Sequence, residues 1–148
     1  MEPCGAMEAV NVTPVFPITN WQSKRVTVFG LGRSGRAAAD LLLDVGAQVT
    51  IIEEQISQDF ESLSAAYGLR GARVFGGDEV ADGLRDLYLV VVSPGVPKDH
   101  LLLQEMAQRG IPVIGEIELA GWFLQAPIIA VTGTNGKSTT VRLIGAIL

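Results

Sequence analysis

The residues best placed to do chemistry stand in the run TGTNGKST, residues 132–139. Gly133 and Gly136 frame a turn in which successive backbone N–H groups can close around phosphate oxygens, with Thr134 and Asn135 between them. Lys137 adds a point charge, and the hydroxyls of Ser138 and Thr139 follow it, Ser138 within reach of a magnesium ion. An apolar, β-branched run at 127–132 leads in and a helical pattern leads out to Leu148. That is the strand, loop and helix of a phosphate-binding loop. The spacing is shorter than the common G-x-x-x-x-G-K-[ST], which would need glycine at 131, where Val131 stands. A glycine-rich turn before a helix, without a ligand, is the plainer alternative. Gly-Lys-Ser directly after a β-branched run favours the phosphate loop.

A second glycine set lies upstream. Gly30, Gly32 and Gly35 stand in GLGRSG, after an apolar run and before a helical pattern, with Glu53 and Glu54 about twenty residues on. By itself this is a dinucleotide fingerprint: a tight turn, close approach to phosphate, and a carboxylate for ribose hydroxyls. A ligand-free strand-to-helix turn is the alternative. SPGVP at 93–97 ends the most continuous apolar run, at the edge where open α/β sheets place ligands, and GEIEL at 115–119 precedes a linker.

The elements that must position these residues alternate. Strands are expected at 25–29, 48–52, 72–75, 87–92, 111–114 and 127–132, and helices at 34–45, 58–67, 99–109 and 115–124. Ala37, Ala38, Leu41, Leu42 and Val45 form the apolar stripe of the first helix, which Gly46 closes. Strands alternating with helices predict an α/β fold with a mainly parallel sheet. The expected division is a loose leader at 1–23, one domain at 24–125, and the start of a second at 126–148.

Composition narrows the partners. The chain has 148 residues, 48% of them apolar, and a net charge of −5. That allows a sizeable core and argues against a general nucleic-acid binder, which should be basic. The single cysteine, Cys4, excludes an internal disulfide or a cysteine metal cluster and is expected to be inert. No signal peptide or membrane-length apolar run is visible, so a soluble cytoplasmic protein is expected, with Met7 an alternative start. His100 reads as a surface residue, Trp122 and Phe123 as packing, and Glu116 and Glu118 as first-turn acids that complement a helix dipole.

In their order GLGRSG, VVSPGVP, GEIEL and APIIAVTGTNGKST, these motifs resemble those of the Mur ligases over about residues 24–148. SPG and GEIEL point to the D-glutamate-adding branch. The resemblance implies a Rossmann-like N-terminal domain, followed by the first strand, P-loop and helix of a truncated central ATPase domain. It implies a substrate, UDP-N-acetylmuramoyl-L-alanine, with its pyrophosphate near Gly30, Gly32, Arg33, Ser34 and Gly35. The uracil would lie near Glu53, Glu54 and Gln55, with contact from Pro94 and Gly95. Some members carry Asp-Thr-Arg where this chain has Glu53, Glu54 and Gln55, so a cation that could stack on the base is missing, and Arg33 is left to supply positive charge. ATP would bind at Gly133, Thr134, Asn135, Gly136, Lys137, Ser138 and Thr139. Lys137 would hold the β/γ oxygens as the catalytic cation, and Ser138 would hold magnesium. The implied reaction activates a carboxylate as an acyl phosphate for attack by D-glutamate, in peptidoglycan precursor synthesis and so in cell shape and division. The remaining magnesium ligands and the D-glutamate site are expected beyond Leu148, so the chain is expected to bind substrate but not to turn over. An NAD-linked oxidoreductase domain and a non-catalytic nucleotide-sugar module are the competing readings.

Overall fold

Five runs rich in valine and isoleucine form one sheet. The computed structural model describes residues 20–84, 86–97 and 99–148. Cys4, Met7 and most of the expected leader lie outside the described residues. The strands are β1 (Arg25–Phe29), β2 (Gln48–Glu53), β3 (Arg73–Gly76), β4 (Leu89–Val92) and β5 (Val113–Gly115). Their order is β3-β2-β1-β4-β5, and every pairing is parallel. The helices are α1 (Arg33–Asp44), α2 (Phe60–Leu69), α3 (Leu101–Gln108), α4 (Glu116–Phe123) and α5 (Lys137–Ile147), with a 3-10 helix at Gly77–Leu84.

The two-residue period of the strands sends their side chains into two cores. Val26, Val28, Val49, Ile51, Leu89 and Val91 pack on one face with Ala38, Ala39 and Leu42 of α1, Tyr67 of α2 and Leu119 of α4. Phe29, Ile52 and Val90 pack on the other with Val80, Leu84, and Leu103 and Met106 of α3. Both faces are covered, so the strands read as continuous apolar runs rather than alternating ones. Each fully buried valine, leucine or isoleucine contributes roughly 1.5–3 kcal/mol. Trp21, inside the stretch read as leader, is buried and stacks on Phe123 at 5.4 Å between centroids. Trp122 and Phe123 are packing residues, as expected.

α1 ends as Gly46 implies. Gly46 adopts φ +84°, its N–H donates to Leu43 O, and the Ala47 N–H donates to Leu42 O. This left-handed closure returns the chain straight into β2. The buried stripe of α1 is Gly35, Ala38, Ala39 and Leu42; Ala38 and Leu42 are as expected, Leu41 and Val45 are half-buried, and Ala37 is exposed. The glycine belongs to the stripe because the helix lies too close to the sheet there for a side chain.

The expected strand at 127–132 is absent. These residues are irregular, with Ile128 62% and Ile129 52% exposed. A strand forms only where its N–H and C=O groups find a neighbour, and this run pairs with neither sheet edge. Only Val131 is half-buried.

Candidate functional site

The ends of three strands are stitched together just beyond the ladders. The Gly30 N–H donates to Ile52 O at 2.8 Å, and the Ser93 N–H donates to Phe29 O at 2.9 Å. The buried Ser93 hydroxyl donates to Gly30 O at 3.4 Å. Gly30 turns the chain at φ +102°, and a Cβ there would meet the Ser93 Cβ at 2.8 Å. A Cβ on Gly35 would lie 2.0 Å from Gly30 O and 2.8 Å from Ser93 Oγ. Gly30 and Gly35 therefore allow close approach of turn, helix and strand. Gly32 differs: a Cβ there meets nothing within 4 Å. It is the N-cap of α1 and brings no side-chain bond, the first-turn N–H groups have no intrahelical acceptor, and Gly32 and Ser34 line the same opening. The helix dipole adds to the pull on an anion.

That opening is a cavity of about 420 Å³ at the C-terminal ends of β1, β2 and β4. It lies where the chain order reverses between β1's neighbours, the usual ligand crevice of an open parallel sheet. Gly30, Gly32, Ser34, Glu53, Glu54, Gln55, Pro94 and Gly95 all line it, with Phe29, Ser93, Val96 and Pro97. Gly35 is buried beneath it, and Arg33 is exposed at the start of α1 without lining it. A turn carries the SPGV segment over the cavity, closed by the Val96 N–H on Ser93 O at 3.0 Å.

The two carboxylates at the end of β2 serve different partners. Glu53 accepts the Leu31 N–H on Oε2 at 2.7 Å and the Gln55 N–H on Oε1 at 3.0 Å. It ties the glycine loop to the turn after β2. Glu54 Oε2 lies 3.0 Å from His100 Nε2. His100 is no free surface residue. Its Nδ1 accepts the Leu102 N–H at 3.3 Å as the N-cap of α3, and its ring meets Phe29 edge-on at 5.0 Å. A lone histidine before an apolar run carried one usable signal, its place at a helix start.

The second glycine loop opens α5. Gly133 and Gly136 adopt φ +144° and +78°, and Gly136 is the N-cap. Lys137 Nζ folds back onto Gly133 O, closing the loop on itself. Thr134, Asn135, Ser138 and Thr139 are exposed around it. Among the described residues no group of three His, Cys, Asp or Glu side chains could hold a metal. Glu116 and Glu118 lie in the first turn of α4, and Glu116 Oε1 is buried with no hydrogen bond among the described residues. No helix of the described residues is long and apolar enough to cross a membrane.

Residues 24–115 match a family described as Mur ligase MurD-like, N-terminal domain. A relative from Koribacter versatilis, named UDP-N-acetylmuramoylalanine--D-glutamate ligase, is 43% identical over 136 residues, which cover 86% of this chain and 28% of the relative. A relative of the same name from Salinibacter ruber is 45% identical over 121 residues, covering 82% of this chain and 26% of its own. The chain thus spans just over a quarter of the length of these relatives. Among solved structures, SirC, a precorrin-2 dehydrogenase, aligns with TM-score 0.47 and 17% identity over 86% of this chain and 66% of its own, a likeness too slight to carry an argument.

Proposed function

From the premise that the chain belongs to the Mur ligase MurD-like family through its N-terminal domain, we propose that the cavity holds the uridine diphosphate of UDP-N-acetylmuramoyl-L-alanine. The parent activity on this reading is an ATP-dependent ligase that adds D-glutamate to that substrate. The observation that carries the reading is the open face of Gly32 beside the α1 N-terminus, at the strand-order reversal. A pyrophosphate there meets uncapped N–H groups and the positive end of a helix dipole, with the Ser34 hydroxyl in the lining and Arg33 one residue away. Gln55 and Glu54 form the wall where the base would lie, and Pro94 and Gly95 the lip.

The competing dinucleotide reading asks Glu53 or Glu54, at the end of β2, to take ribose hydroxyls. Here both Glu53 oxygens already accept backbone N–H groups. Glu53 thus serves the loop, so under the dinucleotide reading the ribose would fall to Glu54, and the comparison with NAD separates the two.

For the phosphoryl step, the substrate carboxylate attacks the γ-phosphorus of ATP and ADP leaves. The amine of D-glutamate then attacks the acyl carbon, phosphate departs, and an amide remains. Lys137 would leave Gly133 O to neutralise β/γ oxygens, while Gly133 to Gly136 would cradle them through the backbone, for which the space around Gly136 is open. Magnesium commonly takes one or two protein oxygens plus phosphate and water. The single Ser138 hydroxyl fits such a partial set, and the ion would supply charge neutralisation when bound.

Titration calorimetry with UDP-N-acetylmuramoyl-L-alanine and with NAD tests the reading. We expect the UDP ligand to bind at least about tenfold more tightly. Equal or tighter NAD binding would overturn it.

A further inference from the structure

The pairing of His100 with Glu54 reaches across the fold, from the start of α3 to the end of β2, and its geometry fixes a protonation pattern. Nδ1 accepts the Leu102 N–H, so that nitrogen carries no proton. In the neutral ring the proton then sits on Nε2, which faces Glu54 Oε2, 3.0 Å away. The ring is fixed from a third side by the edge-on contact with Phe29, which itself lines the cavity. The imidazole is therefore held by the helix it caps, the strand end it touches and the carboxylate it faces.

Glu54 lines the cavity, and its side chain is 43% exposed. Its Oε1 takes no hydrogen bond among the described residues, unlike the two oxygens of Glu53. One oxygen is anchored and one is left to accept.

We propose that His100 is a positioning residue which holds Glu54 at the cavity wall so that Oε1 accepts the imide N–H of a bound uracil. This rests on the reading of the cavity as a uridine diphosphate site. The chemistry gives a specificity: uracil presents N–H at its N3 position, whereas cytosine presents a lone pair there, which a carboxylate repels. A free Glu54 side chain would swing into solvent and lose that discrimination, because a fixed acceptor spends no rotamer entropy on binding.

His100→Asn separates the two duties of the histidine. Asparagine is among the best N-caps and can still accept the Leu102 N–H, but it is too short to reach Glu54. Calorimetry with UDP and CDP is expected to show UDP binding weakened about tenfold in His100→Asn and the UDP-over-CDP preference reduced. The melting temperature should stay within about 2 °C of the wild type. His100 is the sole histidine of the chain, so its ring nitrogens give unambiguous NMR signals. They should report a protonated Nε2 and a bare Nδ1 in the wild type, and the Nε2 signal should move on adding UDP but not in Glu54→Ala. Should the asparagine variant melt early, this ring signal decides. UDP binding and base preference unchanged in a folded His100→Asn, or a ring signal that ignores bound UDP, would overturn the role of His100 alone. No UDP binding by the wild type would overturn both this role and the reading of the cavity.

Discussion

At the scale of single residues, the glycines of the first loop divide their labour, and substitution should expose it. Gly32→Val adds a side chain to open space at φ −67°, a conformation any residue adopts. Its melting temperature should fall by no more than about 2 °C, while UDP binding is lost as the side chain fills the phosphate position. Gly35→Ala places a Cβ at 2.0 Å from Gly30 O, a backbone atom that cannot swing aside. We expect destabilisation of about 3 kcal/mol or more, at the upper end for overpacking, measured by urea unfolding. Equal stability of the two variants would refute the division. The glycine spacing was legible in the sequence because each position carries its own steric demand. The bonds of Glu53 were not. They join Leu31 to a side chain 22 residues away, and depend on the register that sets Phe29 against Ile52. His100 was misread for the same reason: its partner Glu54 is 46 residues distant.

At the scale of elements, α1 and α2 are joined by a small polar cluster over the first core. The Tyr67 hydroxyl donates to Arg36 O at 3.3 Å, and Arg70 pairs with Asp40 and, at 2.9 Å, with Asp44. Burial, and then the nearby Asp40 charge, push the Tyr67 phenol above its ordinary value of 10.0. The folded state thus holds that proton more tightly than the unfolded chain does. The stabilisation is complete below about pH 10 and is lost as pH rises through the folded pKa. Tyr67→Phe should cost about 0.5–1.5 kcal/mol at pH 7 for the lost hydrogen bond. It should also flatten the decline above pH 10. Denaturant titrations of both proteins from pH 7 to 11 would show parallel declines if the phenol has no part in it. The helices and the five central strands were legible because their apolar periods match their faces. The 3-10 helix at Gly77–Leu84 was not, since its apolar residues are only Val80, Ala81 and Leu84. The run at 127–132 has the composition of a strand but lacks a partner, and composition alone cannot supply one.

At the scale of the whole molecule, the doubly covered sheet and residues 126–148 obey different physics. The sheet buries both faces, whereas α5 buries no residue. An isolated helix of 11 residues is marginal in water, because nucleation outweighs the few bonds it gains. Removing residues 126–148 should therefore leave the melting temperature of the sheet within about 2 °C of the intact chain. The same segment exposes Ile128, Ile129, Val141, Leu143, Ile147 and Leu148. Covering what remains exposed of each would stabilise by up to about 1.5–3 kcal/mol, so a second copy of the chain is a ready source of cover. Sedimentation velocity should show the intact chain associating as concentration rises, and the shortened chain remaining monomeric. Identical sedimentation of the two would show that the exposed residues do not drive contact. The glycine loop at 133–136 shares the weakness of the helix it opens. With no sheet behind it, the Lys137 contact with Gly133 O is what holds it closed. ATP should bind weakly, and phosphate release should stay at background. ATP-dependent release above background, and its loss in Lys137→Ala, would show instead that the loop reaches a working geometry without that support.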